Sequence, residues 1–218
     1  MRQRKIKNID EKLLAYGPLL AEAAEENRGR WREVFGAEGC RLYMEIGCGK
    51  GQFITRCAAR DPEGHYVAVE GLKSAIIRGL EKAEKAELAN VRFIADYVDD
   101  LTTFVADGEL DGVFLNFSDP WPKARHAKRR LTAGKRLLDY AAAIRSGGFL
   151  RFKTDNDGLF EFTLEEIEAH AAEAGFRMTA MTRDLHSSPY AGLDPTTEYE
   201  DKFTAAGKTI NYVELVRE

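Results

Sequence analysis

The sequence predicts an α/β fold, a mostly parallel seven-stranded sheet with helices on both faces and an antiparallel hairpin at one edge. Three observations lead to this prediction. Short apolar runs alternate with longer helical patterns along most of the chain, the signature of successive βαβ units. Two late apolar runs, 176–184 and 208–216, have no helix-length amphipathic pattern between them and are free to pair antiparallel. A length of 218 residues, with 44% apolar and 31% charged residues, suits one α/β domain with a full core and is short for two.

Taken in order, the first 40 residues read as a basic tail followed by helices that pack on or cap the single domain, 1–218. Residues 18–26 are rich in good helix formers, residues 31–35 suggest another turn or two, and Gly36 and Gly39 end the segment. Residues 41–46 form the first strand, and the glycine run Gly47, Gly49, Gly51 follows it directly. Helix is expected over 52–60, stopping before Pro62, then strand over 65–69, helix over 73–89 and strand over 91–95. A helix near 98–106 leads to the strand 111–117. Thr132 caps a predicted helix running to 144, which Gly147 and Gly148 terminate. Strand 149–154 and helix 159–174, ended by Gly175, complete the alternation, and 185–201 reads as a loop.

Bulk properties exclude several classes. The stretches of apolar sequence are too short for a membrane span, and the basic start, Met1-Arg-Gln-Arg-Lys-Ile-Lys7, has no apolar segment behind it to make a secretory signal. Cys40, Cys48 and Cys57 lack Cys-x-x-Cys spacing, which argues against a disulfide framework or zinc site and fits a cytoplasmic location. The net charge of −4 argues against nucleic acid on average, but the charge is unevenly spread. Residues 123–136 carry seven Lys or Arg and no Asp or Glu, and the first seven residues carry four Lys or Arg. Phosphate binding needs such a local footprint rather than a basic average.

The glycine run lies between a strand and a helix, where small residues let a ligand approach the backbone. Its spacing is G-x-G-x-G, so it does not meet the dinucleotide pyrophosphate fingerprint. Three acids surround it. Glu45 precedes the glycines, Glu70 ends the second strand 19 residues past Gly51, and Asp96 ends the third. They would repel a pyrophosphate and suit a cationic nucleoside: Glu70 for ribose hydroxyls, Asp96 for an adenine amino group, Glu45 for a cation. Asp119 and Trp121 then leave the end of the fourth strand, followed by the cationic run.

Glu45-Ile-Gly-Cys-Gly-Lys-Gly51 resembles motif I of the class I S-adenosylmethionine-dependent methyltransferases, which have a Rossmann-like fold. With Asn116-Phe-Ser-Asp-Pro-Trp-Pro-Lys123, the following Arg-His-Ala-Lys-Arg-Arg130, Phe152-Lys-Thr-Asp155 and Thr197-Glu-Tyr-Glu200, the whole chain resembles the bacterial tRNA (guanine-N7-)-methyltransferase family. The resemblance implies methyl transfer from S-adenosylmethionine, leaving S-adenosylhomocysteine, to N7 of guanine 46 in the tRNA variable loop. No metal is implied, and the protein would act in the cytoplasm as a monomer or homodimer. It further implies that Glu45, Gly47, Gly49, Gly51, Glu70, Asp119 and an acid near the third strand's end contact the cofactor. That last position corresponds to Tyr97 here, with Asp96 its neighbour. Asp119 would be the active-site carboxylate. Lys123, Asp155, Thr197, Glu198, Tyr199 and Glu200 would contact the substrate, and Arg125, His126, Ala127, Lys128, Arg129 and Arg130 the RNA.

The remaining basic residues have weaker expectations. Arg2, Arg4, Lys5 and Lys7 are candidates to wrap the same RNA, and Lys153 either to reach a phosphate or to make a cross-strand ion pair. Trp121 reads as a stacking wall or as core beneath the turn. The rival readings are an RNA methyltransferase acting on an exocyclic amino group, a non-catalytic RNA-binding protein on this fold, and a small-molecule methyltransferase.

Overall fold

The computed structural model describes residues 6–218, so Arg2, Arg4 and Lys5 of the basic start lie outside the described residues. Seven strands form a single sheet in the order β3-β2-β1-β4-β5-β7-β6. They are β1 (Arg41–Ile46), β2 (Gly64–Val69), β3 (Val91–Ile94), β4 (Leu110–Asn116), β5 (Ile144–Thr154), β6 (Phe176–Thr182) and β7 (Asn211–Arg217). The first five pair in parallel, while β7 pairs antiparallel with both β5 and β6. This mostly parallel sheet with a late antiparallel edge is the predicted architecture. β4 sits centrally, and every one of its residues is buried, as a parallel strand covered on both faces requires.

The helices are α1 (Ile9–Leu14), α2 (Trp31–Val34), α3 (Gln52–Arg60), α4 (Lys73–Lys85), α5 (Gly134–Ala143), α6 (Asp157–Ala174) and α7 (Glu198–Ala205). One core cluster joins Leu42, Met44, Val113, Leu115 and Phe152 of the sheet to Leu137, Tyr140 and Phe160 of α5 and α6. A second joins Tyr66, Ala68 and Phe114 to Phe53, Ile54, Ile76 and Leu80 of α3 and α4. The helix α3 approaches α4 at backbone contact. Gly51 has φ +70°, and a Cβ built there would lie 2.7 Å from the Cα of Gly79. No helix of the described residues is long and apolar enough to cross a membrane.

The N-terminal segment departs from its predicted helix. Residues 18–26 form two short 3-10 turns, Gly17–Leu19 and Ala24–Asn27, rather than one helix. Between them Leu20 bridges Phe93 in parallel, and the Ala21 N–H donates to the Phe93 carbonyl at 2.8 Å. The exposed edge of β3 captures this stretch as extended chain, and such pairing outweighs helix propensity. Further on, the Trp31 ring is fully buried and its Nε1 donates to the Phe104 carbonyl at 2.8 Å. Glu109 accepts the N–H groups of Gly29, Trp31 and Ala106, fixing this segment to the start of β4.

Four other local expectations change. The helix expected near 98–106 is a single 3-10 turn, Leu101–Thr103, capped by the Asp100 carboxylate accepting from the Thr102 N–H. Thr132 is not the cap of α5. Its hydroxyl shares a hydrogen bond with that of Thr163 at 2.8 Å, and Glu166 of α6 accepts from the Gly134 N–H at the helix start. Gly147 and Gly148 do not terminate that helix either, which ends at Ala143; they lie inside β5, beside an irregular register with β4. The predicted loop 185–201 contains the start of α7. Thr197 and Glu200 form a capping box there, each side chain bonding the other's backbone.

Candidate active site

The sheet order reverses between β1 and β4: the chain builds β2 and β3 outward on one side of β1 and β4 and β5 on the other. The crevice beyond the carboxyl ends of β1 and β4 is therefore the topological switch point, where ligands of open α/β sheets bind. A cavity of about 750 Å³ opens there. Gly47 and Gly49 after β1, Glu70 after β2, Asp96 and Tyr97 after β3 and Asn116, Phe117, Ser118, Asp119 and Trp121 after β4 line it, whereas Gly51, expected to contact the cofactor, packs behind the loop and does not.

The loop is held by its own strand ends. The N–H groups of Gly47 and Cys48 donate to the Val69 carbonyl at 2.8 and 3.0 Å. Glu70 accepts from the Gly49 N–H at 2.9 Å through one oxygen and from the Leu72 N–H at 2.8 Å through the other. The Glu70 carboxylate is thus aimed along the loop with lone pairs to spare for hydroxyl donors. Gly49 has φ +55° with open space where a side chain would project, so the backbone itself is the cavity wall.

Glu45 is only 2% exposed. One of its oxygens accepts from the Asn116 amide at 2.8 Å, while the other, Oε2, has no partner. The Asn116 Oδ1 and Ser118 Oγ are likewise buried without partners. All three residues line the same cavity. Buried polar atoms are almost always paired, so three unpaired ones around one cavity mark where a ligand's polar groups fit. Burial drives the Glu45 carboxyl up to about 7, with the Asn116 hydrogen bond and the Lys153 ammonium pulling the other way.

After β4 the chain reverses abruptly. Phe117 and Trp121 both have positive φ, +52° and +40°, a left-handed geometry uncommon for bulky residues. Between them Asp119 is exposed at the cavity wall. Trp121 also lines the cavity, which resolves its alternative readings in favour of a wall. The Arg129 guanidinium lies 5.0 Å from its ring centroid, and the His126 ring meets it edge-on at 5.7 Å.

The cationic run after this turn forms a 3-10 helix, Ala124–Arg129, and its side chains divide. Lys128 and Arg129 line the cavity rim together with Arg136. Lys123, Arg125, His126 and Ala127 lie outside the lining, with Lys123 and Arg125 exposed. Arg130 turns inward instead: it donates to the carbonyls of Pro120 at 2.9 Å and Trp121 at 3.1 Å and covers the Phe162 ring at 4.2 Å. Its geometry is that of a brace for the turn.

The expected substrate residues also divide. Thr197, Glu198 and Tyr199 line the cavity. Glu198 bridges Lys50 of the glycine loop at 3.1 Å and Lys82 of α4 at 3.2 Å. Burial would raise its carboxyl, but the hydrogen bonds from Lys50 and Lys82 prevail and lower it. Glu200 does not join the lining. It is 1% exposed and bonds Lys153 at 2.9 Å, with His186 at 3.4 Å from its other oxygen. Lys153, also buried, donates in addition to the Pro195 carbonyl at 3.2 Å, so it is ion-paired to helix α7 rather than across strands as expected, and it is not free to reach a phosphate. Asp155 lies outside the lining, paired with Lys208 at 2.6 Å.

Asn116, Ser118 and Phe117 are site residues that sequence reasoning left unassigned. They lie inside a block already singled out, but only the fold shows that Asn116 meets Glu45 and Phe117 meets Tyr199, with Ser118 beside them in the cavity lining. Among the described residues, no group of three or more His, Cys, Asp or Glu is placed to hold a metal ion.

Comparison with known proteins matches this geometry. Among solved structures, an antibiotic-related methyltransferase superposes with a TM-score of 0.64 at 18% identity, covering 86% of this chain and 94% of that one. The 16S rRNA methyltransferase KamB gives 0.62 at 14% identity, with 82% and 88% covered. Geranyl diphosphate C-methyltransferase from Streptomyces coelicolor A3(2), solved with S-adenosyl-L-homocysteine, gives 0.56 at 14%, with 83% and 75% covered. At these identities the likeness establishes the fold, a Rossmann-like methyltransferase fold. The family model described as "Putative methyltransferase" matches residues 40–213, four-fifths of the chain, spanning β1 to β6, the start of β7 and every cavity-lining residue. The chain belongs to this methyltransferase family.

Proposed function

We propose that this protein transfers the methyl group of S-adenosylmethionine to N7 of guanine 46 in the variable loop of tRNA, releasing S-adenosylhomocysteine. The observation that carries the reading is the meeting, in one switch-point cavity, of an acid-lined glycine loop with the Asp119–Trp121 turn and a basic rim. The choice of guanine N7 rests on the resemblance of residues 116–130 to the tRNA (guanine-N7-)-methyltransferases.

The residues present fit the cofactor. The unpaired Oε2 of Glu45 and Oδ1 of Asn116 are acceptors for an ammonium group. Glu70 keeps lone pairs for ribose hydroxyls, and Asp96 and Tyr97, which line the cavity after β3, are the residues we assign to the adenine. When bound, the cofactor supplies an electrophilic methyl on a sulfonium.

N7 of guanine carries an in-plane lone pair and no proton, so its methylation requires no general base. Asp119 accepts from the base's N1–H and amino group, orients it and balances the charge that arrives on the purine. Alignment of two bound reactants contributes up to about 7–11 kcal/mol in favourable cases. Lys128 and Arg129 hold RNA phosphates at the rim, and the exposed Lys123 and Arg125 extend that footprint. Thr197, Glu198 and Tyr199 form the opposite wall, and Glu200 acts behind it by fixing the segment.

The test is incubation of unmodified tRNA with the protein and labelled S-adenosylmethionine, followed by mapping of the methylated base. A fixed positive charge on guanine 46 is expected. A neutral methylamine would place the reaction on an exocyclic amino group, and no RNA methylation at all would overturn the reading.

A further inference from the structure

We propose that Phe117 and Tyr199 form the platform on which the target purine stacks, and that this platform holds the methylated purine cation in preference to the neutral base. The inference rests on the proposed N7 chemistry and adds to it a role for two rings.

The two side chains come from distant parts of the sequence to one wall. Phe117 follows β4 immediately before Ser118 and Asp119, with φ +52°, and its ring meets α7. Its ring lies 6.3 Å from that of Tyr199, inclined at 25°, and 6.1 Å from that of Phe203. Tyr199 and Phe203 are stacked at 6.1 Å and 23°, so the three rings form one cluster. A bulky residue held at positive φ is strained and persists where its surroundings, often a functional site, require it. Here the strain directs Phe117 under a tyrosine that is itself 56% exposed and lines the cavity with Asp119.

The other rings near this wall are already engaged with cations. Arg129 lies over Trp121, and Lys208 and Lys202 lie 4.6 and 5.4 Å from the Phe203 centroid. Among the described residues no cation lies over Phe117 or Tyr199. The outward face of Tyr199 is therefore open to a planar, electron-poor group. Its position is rigid for an exposed ring, because it stands in the first turn of α7, set by the Thr197–Glu200 capping box.

The reaction creates such a group. The N7 lone pair forms the new N–C bond, sulfur keeps the pair of the broken S–C bond, and no proton leaves. One full positive charge thus arrives on the purine. An aromatic face attracts a cation through its quadrupole and any base through stacking. Asp119 meets the base at its hydrogen-bonding edge while Tyr199 meets its face. Together they favour the charged purine over the neutral one.

The experiment compares binding of 7-methylguanosine 5′-monophosphate and guanosine 5′-monophosphate to the full chain in the presence of S-adenosylhomocysteine. Wild type is expected to prefer the methylated nucleotide by roughly tenfold, the scale of one cation–π interaction. Tyr199→Phe should retain that preference and Tyr199→Leu should reduce it to within about twofold. Equal binding of both nucleotides by wild type, or an undiminished preference in Tyr199→Leu, would overturn the platform. The wild-type tRNA assay separates the two levels: N7 methylation without the preference sinks this inference alone, whereas absence of N7 methylation sinks the function beneath it.

Discussion

Lys153 and Glu200 face each other at 2.9 Å with side chains 3% and 2% exposed, a charge pair enclosed behind the cavity wall. It joins β5 to the first turn of α7 and so sets where Glu198 and Tyr199 stand. Removing one partner strands the other's charge in the interior, at a cost of about 3–5 kcal/mol, whereas replacing both with apolar residues of similar volume is often neutral. Lys153→Met and Glu200→Gln should each lower the urea midpoint substantially, and Lys153→Met with Glu200→Leu should recover most of the loss. Additive losses in the double variant would mean that the two residues act independently.

Asp119 is exposed, between the two residues with positive φ, so its removal should spare the fold. Asp119→Ala is expected to lower kcat by about two to three orders of magnitude, the scale of losing one oriented electrostatic interaction. RNA affinity should stay within a few-fold. Loss of RNA binding with intact turnover would assign the carboxylate a docking role.

Glu45 gives a pH dependence with a definite sign. Its carboxyl is raised by burial to about 7. In the free protein it therefore contributes stability at low pH that is lost as pH rises from the ordinary carboxylate range through about 7. Binding an ammonium requires the carboxylate, so cofactor affinity should rise between pH 6 and 8, by up to about tenfold per unit below the titration point, with release of a proton. Calorimetry in two buffers of different ionisation heat would detect the proton. Glu45→Gln should bind more weakly with a flat profile, and a flat profile in wild type would contradict the assignment.

The two halves of the cationic run should separate on mutation. Lys128→Ala with Arg129→Ala should weaken tRNA binding and reduce the slope of log affinity against log salt by roughly 0.7–0.9 for each phosphate no longer neutralised. Arg130→Ala removes the brace on Pro120 and Trp121. It should lower kcat with little change in that slope. A slope change from Arg130→Ala equal to that from Arg129→Ala would show that both face the RNA.

Much of this architecture was legible because its signals are local. Each strand of the sheet reads as a short apolar run, and the glycine loop and Asp119 stand at the ends of two of them. Several of the misreadings come from interactions with residues far along the chain. Residues 18–26 have helix-forming composition, yet Leu20 is drawn to the edge of β3. Thr132 looks like a cap until Thr163, 31 residues away, takes its hydroxyl. The missed start of α7 did carry a signal, the Thr197-x-x-Glu200 spacing of a capping box, but it lacks apolar periodicity because one face points into an open cavity. The partners of Glu200 come from β5 and the 185–187 turn, and nothing in the local sequence announces them.

The backbone contact between Gly51 and Gly79 has a consequence for how this protein tolerates change. A single added methyl at Gly51 would be a wedge between two helices, 2.7 Å from a main-chain atom that has no side chain to move aside. The third glycine of the loop is thus constrained by its neighbour behind, not by the cavity, which it does not line. Drift in α4 is limited by the same join. Substitution at Gly79 should blunt cofactor binding without touching a single cavity-lining side chain.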